Sequence, residues 1–124
     1  MTIIEAINQT DTLKSNTFTQ DEKVAWLNNL EWRIKQEVID THEGGENVTF
    51  TGYDGDTSVT TELIAKAPHD EVYLRWLQAQ IDYNNGEIKR YNLSIIMFNT
   101  AYEGFCNYYN RTHMPLSAGK RFLF

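Results

Sequence analysis

Glu87-Ile88-Lys89-Arg90-Tyr91-Asn92-Leu93-Ser94-Ile95-Ile96-Met97-Phe98-Asn99-Thr100-Ala101-Tyr102-Glu103-Gly104-Phe105-Cys106-Asn107-Tyr108-Tyr109-Asn110-Arg111 is the stretch that decides the fold. Ile88, Tyr91, Ile95, Phe98, Tyr102, Phe105 and Tyr109 succeed one another at alternating steps of three and four residues. A helix returns to the same face every ~3.6 residues, so these side chains form one stripe. At ~1.5 Å per residue the helix over about 87–111 is roughly 36 Å long. No Gly or Pro interrupts it before Gly104, and Pro115 stops it. A second row, Leu93, Met97, Ala101 and Tyr108, runs beside the first. The combined surface is too wide for one partner helix. It calls for the rest of the domain, another subunit, or both.

Working outward, the preceding segment reads as a third helix, opened by Ala67-Pro68-His69-Asp70-Glu71 and closed near Asn84 by Asn85-Gly86. It has two apolar faces. Tyr73, Leu74, Leu77 and Ile81 form one, and Val72, Trp76, Ala79 and Tyr83 the other. Such a helix is sandwiched, either within the protomer or against a neighbouring subunit. Upstream, Thr19-Gln20-Asp21-Glu22 is a capping box with Phe18 at the staple position. The helix it opens carries Val24, Leu27, Leu30, Ile34 and Val38 on one face and runs to about Thr41, with Trp26 and Trp32 off the stripe. Thr2 to Leu13 reads as a short helix with Ile3, Ile4 and Ile7 as its apolar patch. About 43–66 reads as a β-hairpin or loop insertion. Gly44-Gly45 ends the helix, Val48-Thr49-Phe50-Thr51 alternates, Asp54-Gly55-Asp56 turns, and Ser58 to Ile64 is rich in β-branched residues. The expected fold is mainly α: a single domain over 1–124 of three or four helices with that insertion. Residues 116–124 form an extended tail ending in Lys120-Arg121-Phe122-Leu123-Phe124.

A chain of 124 residues supports one core. Charge is uneven: residues 1–66 hold twelve acids and five bases, residues 67–124 five acids and six bases. The acidic half argues against a general nucleic-acid binder. Aromatics are 13% of the chain, and eleven of sixteen lie after Pro68. Cys106 is the single cysteine and reads as a buried small hydrophobe in a reducing compartment. The start, Met1 to Ile7, has neither a basic nor a long apolar leader region, and no run approaches a membrane span of ~20 apolar residues. The expectation is a cytoplasmic product.

The motifs that would carry chemistry fall short. His42-Glu43-Gly44-Gly45-Glu46 lacks the second histidine of a zinc-protease helix. Asp54, Asp56 and Ser58 stand at alternate positions like a calcium loop, but Val59 and Ala65 occupy the places of its glycine and glutamate. Gly44-Gly45 has no Lys-Ser/Thr after it, so it is no phosphate loop. Cys106 has no histidine within a helical turn to activate it. His69 reads as a surface histidine and His113 as a helix-end hydrogen-bonder. We therefore expect no enzyme, no cofactor and no metal.

Several longer motifs carry a resemblance. They are Tyr73-Leu74-Arg75-Trp76-Leu77-Gln78-Ala79-Gln80-Ile81-Asp82-Tyr83, then Gly86-Glu87, Tyr91-Asn92, Phe98-Asn99 and Ala101-Tyr102, and the ending Asn107-Tyr108-Tyr109-Asn110-Arg111-Thr112-His113-Met114-Pro115. Trp26-Leu27 and Ile39-Asp40-Thr41-His42-Glu43-Gly44 join them in the first half. Over roughly residues 16–115 the chain resembles the head-tail connector (head-completion, or adaptor) proteins of long-tailed bacteriophages, of prophage type. The resemblance implies a structural protein of the virion, made in the host bacterial cytoplasm, that forms a homo-oligomeric ring at the head-tail junction. Such a ring sits beneath the portal protein and above a tail or stopper component. DNA passes through without sequence-specific binding, and no membrane is involved. On this reading Val72, Trp76, Tyr83, Met97, Ala101 and Tyr108 form the subunit interface, and Leu116, Phe122, Leu123 and Phe124 form a partner-docking tail. The alternative is a non-virion helical protein–protein interaction module, such as a phage-encoded regulator.

Overall fold

The long periodic stretch folds as one uninterrupted helix. In the computed structural model, which describes residues 1–116, helix α4 spans Ile88–Thr112. Before it come α1 (Ile3–Leu13), α2 (Gln20–Ile34) and α3 (Glu71–Asn84). The starts of α1 and α2 have a local cause. Thr2 caps α1 in a reciprocal box: the Glu5 N–H donates to the Thr2 hydroxyl at 3.2 Å, and the Thr2 N–H to the Glu5 carboxylate at 2.9 Å. Thr19 caps α2 by accepting from the Glu22 N–H at 3.2 Å. Here the box closes differently from the expectation, because Glu22 takes the Thr19 hydroxyl proton rather than its N–H. Phe18 packs edge-on against Trp26, with ring centroids 5.2 Å apart.

Helix α2 continues directly into a π-helical turn over Lys35–Ile39, closed by the Asp40 N–H on the Lys35 carbonyl at 2.9 Å. Val38 and Ile39, within that turn, stay in the core. The chain then reverses at Gly44, whose φ of 85° is open to glycine at little cost. Gly45 lies against the backbone of Ile39, and a Cβ there would stand 2.4 Å from the Ile39 carbonyl oxygen.

Of the two forms expected for the insertion over about 43–66, hairpin or loop, the structure has the loop, and the hairpin is absent. Among the described residues there is no strand, only two isolated antiparallel bridges, Thr2 with Glu62 and His42 with Pro115. The reason is competition for backbone groups. Residues that would have paired with each other pair instead with the N-terminus and with helix side chains. Ile3 and Ile4 donate to the Thr61 and Val59 carbonyls, and Leu63 donates to the Met1 carbonyl at 2.9 Å. The Tyr53 N–H donates to the Asn28 side chain, the Ile64 N–H to Glu31, and the Ala65 N–H to the Tyr73 hydroxyl. Asp54 organises the acidic turn by accepting from the Asp56 N–H and the Thr57 hydroxyl. Trp32, off the α2 stripe, meets Phe50 at 4.7 Å and so holds the segment against the helix.

Helix α3 is the centre of the packing. It lies along α4 and also packs on α1 and α2. Its two apolar faces are therefore largely covered within the protomer, with Tyr83 left exposed. Val72, Tyr73, Leu77, Ala79 and Ile81 are all buried. The core joins Val72, Tyr73 and Leu77 to Ile3, Ala6 and Ile7 of α1, to Leu27, Leu30 and Ile34 of α2, to Leu63 and Ala65, and to Phe98, Tyr102, Phe105 and Tyr109 of α4.

Candidate interaction surface

Helix α4 divides sharply around its circumference. The inner face, Phe98, Tyr102, Phe105 and Tyr109, is buried. Ile95 is partly buried against the core. Ile88, expected on the inner stripe, is exposed at the first residue of the helix, just after the turn that ends α3. The outer face carries Leu93, Ile96 and Met97, with 62%, 60% and 39% of their surface in solvent. Tyr108 continues the same side about three turns on, at 39%. These residues recur at helical spacing, so they form one apolar strip rather than scattered exposures. Exposed Lys89, Arg90 and Arg111 flank it. Beside the strip, Ile96, Met97, Thr100 and Ala101 of α4 meet Glu71 and Arg75 of α3 in a shallow groove of about 210 Å³.

The candidate interface residues separate accordingly. Met97 and Ala101 come together in the groove, and Tyr108 lies further along the strip. Tyr83 is exposed, at the far end of α3, with its ring 5.3 Å from that of Tyr91. Val72 does not offer a free surface, and this corrects its assignment, whereas Trp76 is partly buried and keeps part of its ring in solvent. Val72 is fully buried inside the protomer. The Trp76 indole N–H donates to the Trp26 carbonyl at 2.7 Å, and its ring packs 5.0 Å from Phe98, so it ties α3 to α2 and α4. Leu116 is exposed, with its N–H on the Thr41 carbonyl at 2.9 Å. Phe122, Leu123 and Phe124 lie outside the described residues.

Three polar clusters that sequence reading did not single out hold the helices in place behind this strip. Glu31, fully buried on α2, accepts from the Tyr73 hydroxyl at 2.6 Å, the Tyr53 hydroxyl at 2.7 Å and the Ile64 N–H at 3.1 Å. Burial pushes its carboxyl above the usual range, against the opposing pull of those donors. Both tyrosines are pushed up in turn, first by burial and then by the Glu31 charge. Asp82, fully buried on α3, accepts from Lys14 Nζ at 2.6 and 2.7 Å and from the Ser94 hydroxyl, joining α3 and α4 to the end of α1. His42, after the π-turn, has Nδ1 on the Val38 carbonyl and Nε2 2.6 Å from the Asn110 side chain, and its ring meets Tyr109 edge-on at 4.9 Å. His113 stacks on the same Tyr109 at 3.9 Å, and His69 lies 4.6 Å from the Tyr108 ring.

These clusters are joints. Each buried acceptor is taken up by donors from other elements, and among the described residues no buried side-chain polar atom lacks a partner. Burial, followed by the Glu37 charge, raises the Cys106 thiol, which keeps it protonated. No group of three His, Cys, Asp or Glu among the described residues is placed to hold a metal ion. None of the described helices is long and apolar enough to cross a membrane. Comparison of the chain with family models, with curated proteins and with solved structures finds no match.

Proposed function

We propose that this protein is a ring-forming connector of a long-tailed phage virion, placed between the portal and a tail or stopper component. The observation that carries the reading is the outer strip of α4. Among the described residues the core is closed and every buried polar side chain is partnered, yet Leu93, Ile96, Met97 and Tyr108 stay in water along one side of the longest helix. A contiguous apolar strip of that kind is a docking surface. Ring contacts are heterologous, so the strip meets a different face on the next copy. Charge bears on that pairing: Lys89 and Arg111 are exposed at the two ends of the strip, with Glu103 beside it, while residues 1–66 hold twelve acids against five bases. An overall charge of −6 suits a conduit through which DNA slides rather than binds. The motif resemblance over residues 16–115 names the assembly that such a protomer would enter.

The strip reassigns the subunit contact. Met97, Ala101 and Tyr108 remain in it, Leu93 and Ile96 join it, and Tyr83 contributes from the end of α3. Leu116 and the segment through Phe124 are left to reach the portal. The reading is tested by mixing the purified protein with a long-tailed phage portal and imaging the product. Ring density seated on the portal supports it. Binding to a host protein, with no ring under any condition, supports an interaction module instead.

A further inference from the structure

The loop that replaces the hairpin leaves a trough of about 330 Å³ between its two legs, one formed by residues 49–53 and the other by Thr61, Glu62 and Ile64. The first leg is extended. Val48 has φ −103° and ψ 109°, and the side chains after it alternate: Thr49 exposed, Phe50 half-buried on Trp32, Thr51 exposed. Among the described residues, the backbone N–H and carbonyl groups of Thr49, Phe50 and Thr51 make no hydrogen bond. The second leg has one edge taken and one open. The Ile3 N–H donates to the Thr61 carbonyl at 3.1 Å and the Leu63 N–H to the Met1 carbonyl at 2.9 Å, so the N-terminus covers one edge. Glu62 lies between them, in the antiparallel bridge with Thr2, and turns its own N–H and carbonyl the other way. Neither is bonded among the described residues. We propose that this trough receives an extended, basic peptide segment of a partner protein, which adds as a strand between the two legs.

The backbone argues for a peptide. Unpaired N–H and carbonyl groups along an extended edge are a template for another chain, and a strand offers matching groups to both walls at the same repeat. Charge argues for a basic one. Residues 43–65 hold Glu43, Glu46, Asp54, Asp56 and Glu62 and no Lys or Arg. Glu62 is already engaged, with the Met1 amine at 3.2 Å and Lys66 at 3.5 Å. Asp54 and Asp56 are the acids left to attract a base. They are exposed in the turn that joins the two legs, where Asp54 accepts only from the Asp56 N–H and the Thr57 hydroxyl. The same acids repel a nucleic-acid backbone. The trough is separate from the outer strip of α4, so strand addition here stands or falls independently of ring formation.

The test is nuclear magnetic resonance on the full, isotope-labelled chain, titrated with three capped synthetic peptides: Lys-Val-Lys-Val-Lys, the same peptide with its valine amides N-methylated, and Glu-Val-Glu-Val-Glu. The first should shift the amide signals of Thr49, Phe50, Thr51 and Glu62, slow their hydrogen exchange, and leave the amides of Leu93 and Met97 in place. The N-methylated peptide has the same charge but lacks donors along one edge, so it should bind about tenfold more weakly. The acidic peptide should not bind. Equal affinity for the two basic peptides would reduce the effect to charge attraction and overturn strand addition. Equal binding of the acidic peptide, or no shift in the trough amides with the first peptide at about 1 mM, would overturn the proposal outright. Protection of the Thr49–Thr51 amides that grows with protein concentration in the absence of peptide would overturn it in favour of a second copy.

Discussion

Replacing Glu31 by Gln keeps the shape of the side chain and removes its charge. One acceptor oxygen is lost from a group that serves two tyrosine hydroxyls and the Ile64 N–H. The expected destabilisation is about 1–3 kcal/mol near pH 7, read from a denaturant midpoint. The pH dependence has a definite sign. Burial raises the folded-state value of Glu31 above 4.5, its ordinary value, so the folded form holds the proton more tightly. Its contribution to stability is full below about 4.5 and declines as pH rises through the raised value. That decline should vanish in Glu31→Gln. Asp82 gives a second test. Lys14→Met strips the counter-ion from a fully buried carboxylate and should destabilise by about 3–5 kcal/mol, again by denaturant midpoint. The reverse change, Asp82→Asn, leaves a lysine that is 24% exposed and can turn to water, so it should cost less. Neither acid was legible in the sequence. A charged residue on a helix reads as a solvated one, and the tyrosines that bond Glu31 lie 22 and 42 residues away.

At the scale of the element, the long helix was readable because its periodicity is a one-dimensional property, and its inner face matches at Phe98, Tyr102, Phe105 and Tyr109. The two sides of α4 should answer differently to substitution. Phe98→Ala empties a fully buried site and should destabilise by about 3–5 kcal/mol. Met97→Asp or Leu93→Asp, on the outer strip, should change stability by no more than about 0.5 kcal/mol while abolishing assembly, as scored by sedimentation in the presence of the portal. Trp76, partly buried, stands between the two classes. Trp76→Ala removes a ring packed on the core and the hydrogen bond to the Trp26 carbonyl, so it should lower the unfolding midpoint of the isolated protomer. The sequence placed Trp76 on a second face of α3 but could not say what covers that face. The hairpin reading of residues 48–64, one of the two forms expected there, fails for a similar reason. Alternation in Val48-Thr49-Phe50-Thr51 records where side chains point, whereas a hairpin also needs the backbone groups to be unclaimed. Here α1, Asn28, Glu31 and Tyr73 claim several of them. The π-turn after α2 left no signature at all, since Lys35–Ile39 continues a helical pattern.

Across the whole molecule, the surplus apolar surface legible in the sequence is real but narrow. The third helix is covered by α1, α2 and α4 except at Tyr83, and among the described residues the outer strip of α4 is the longest exposed apolar row, beside separate exposures at Leu13, Trp32, Met114 and Leu116. The acidic N-terminal half and the basic flank of the strip make salt a further lever on the contact between copies: raised ionic strength should weaken assembly without unfolding the protomer. The central claim is that this strip builds a ring on the portal, and electron microscopy of portal mixed with the protein tests it most directly. The wild-type chain should add a ring of density to the portal, and a chain carrying Leu93→Asp and Met97→Asp, still folded by circular dichroism, should add none. A portal that stays bare with the wild-type chain, or a ring that forms equally well with the doubly substituted one, would contradict it.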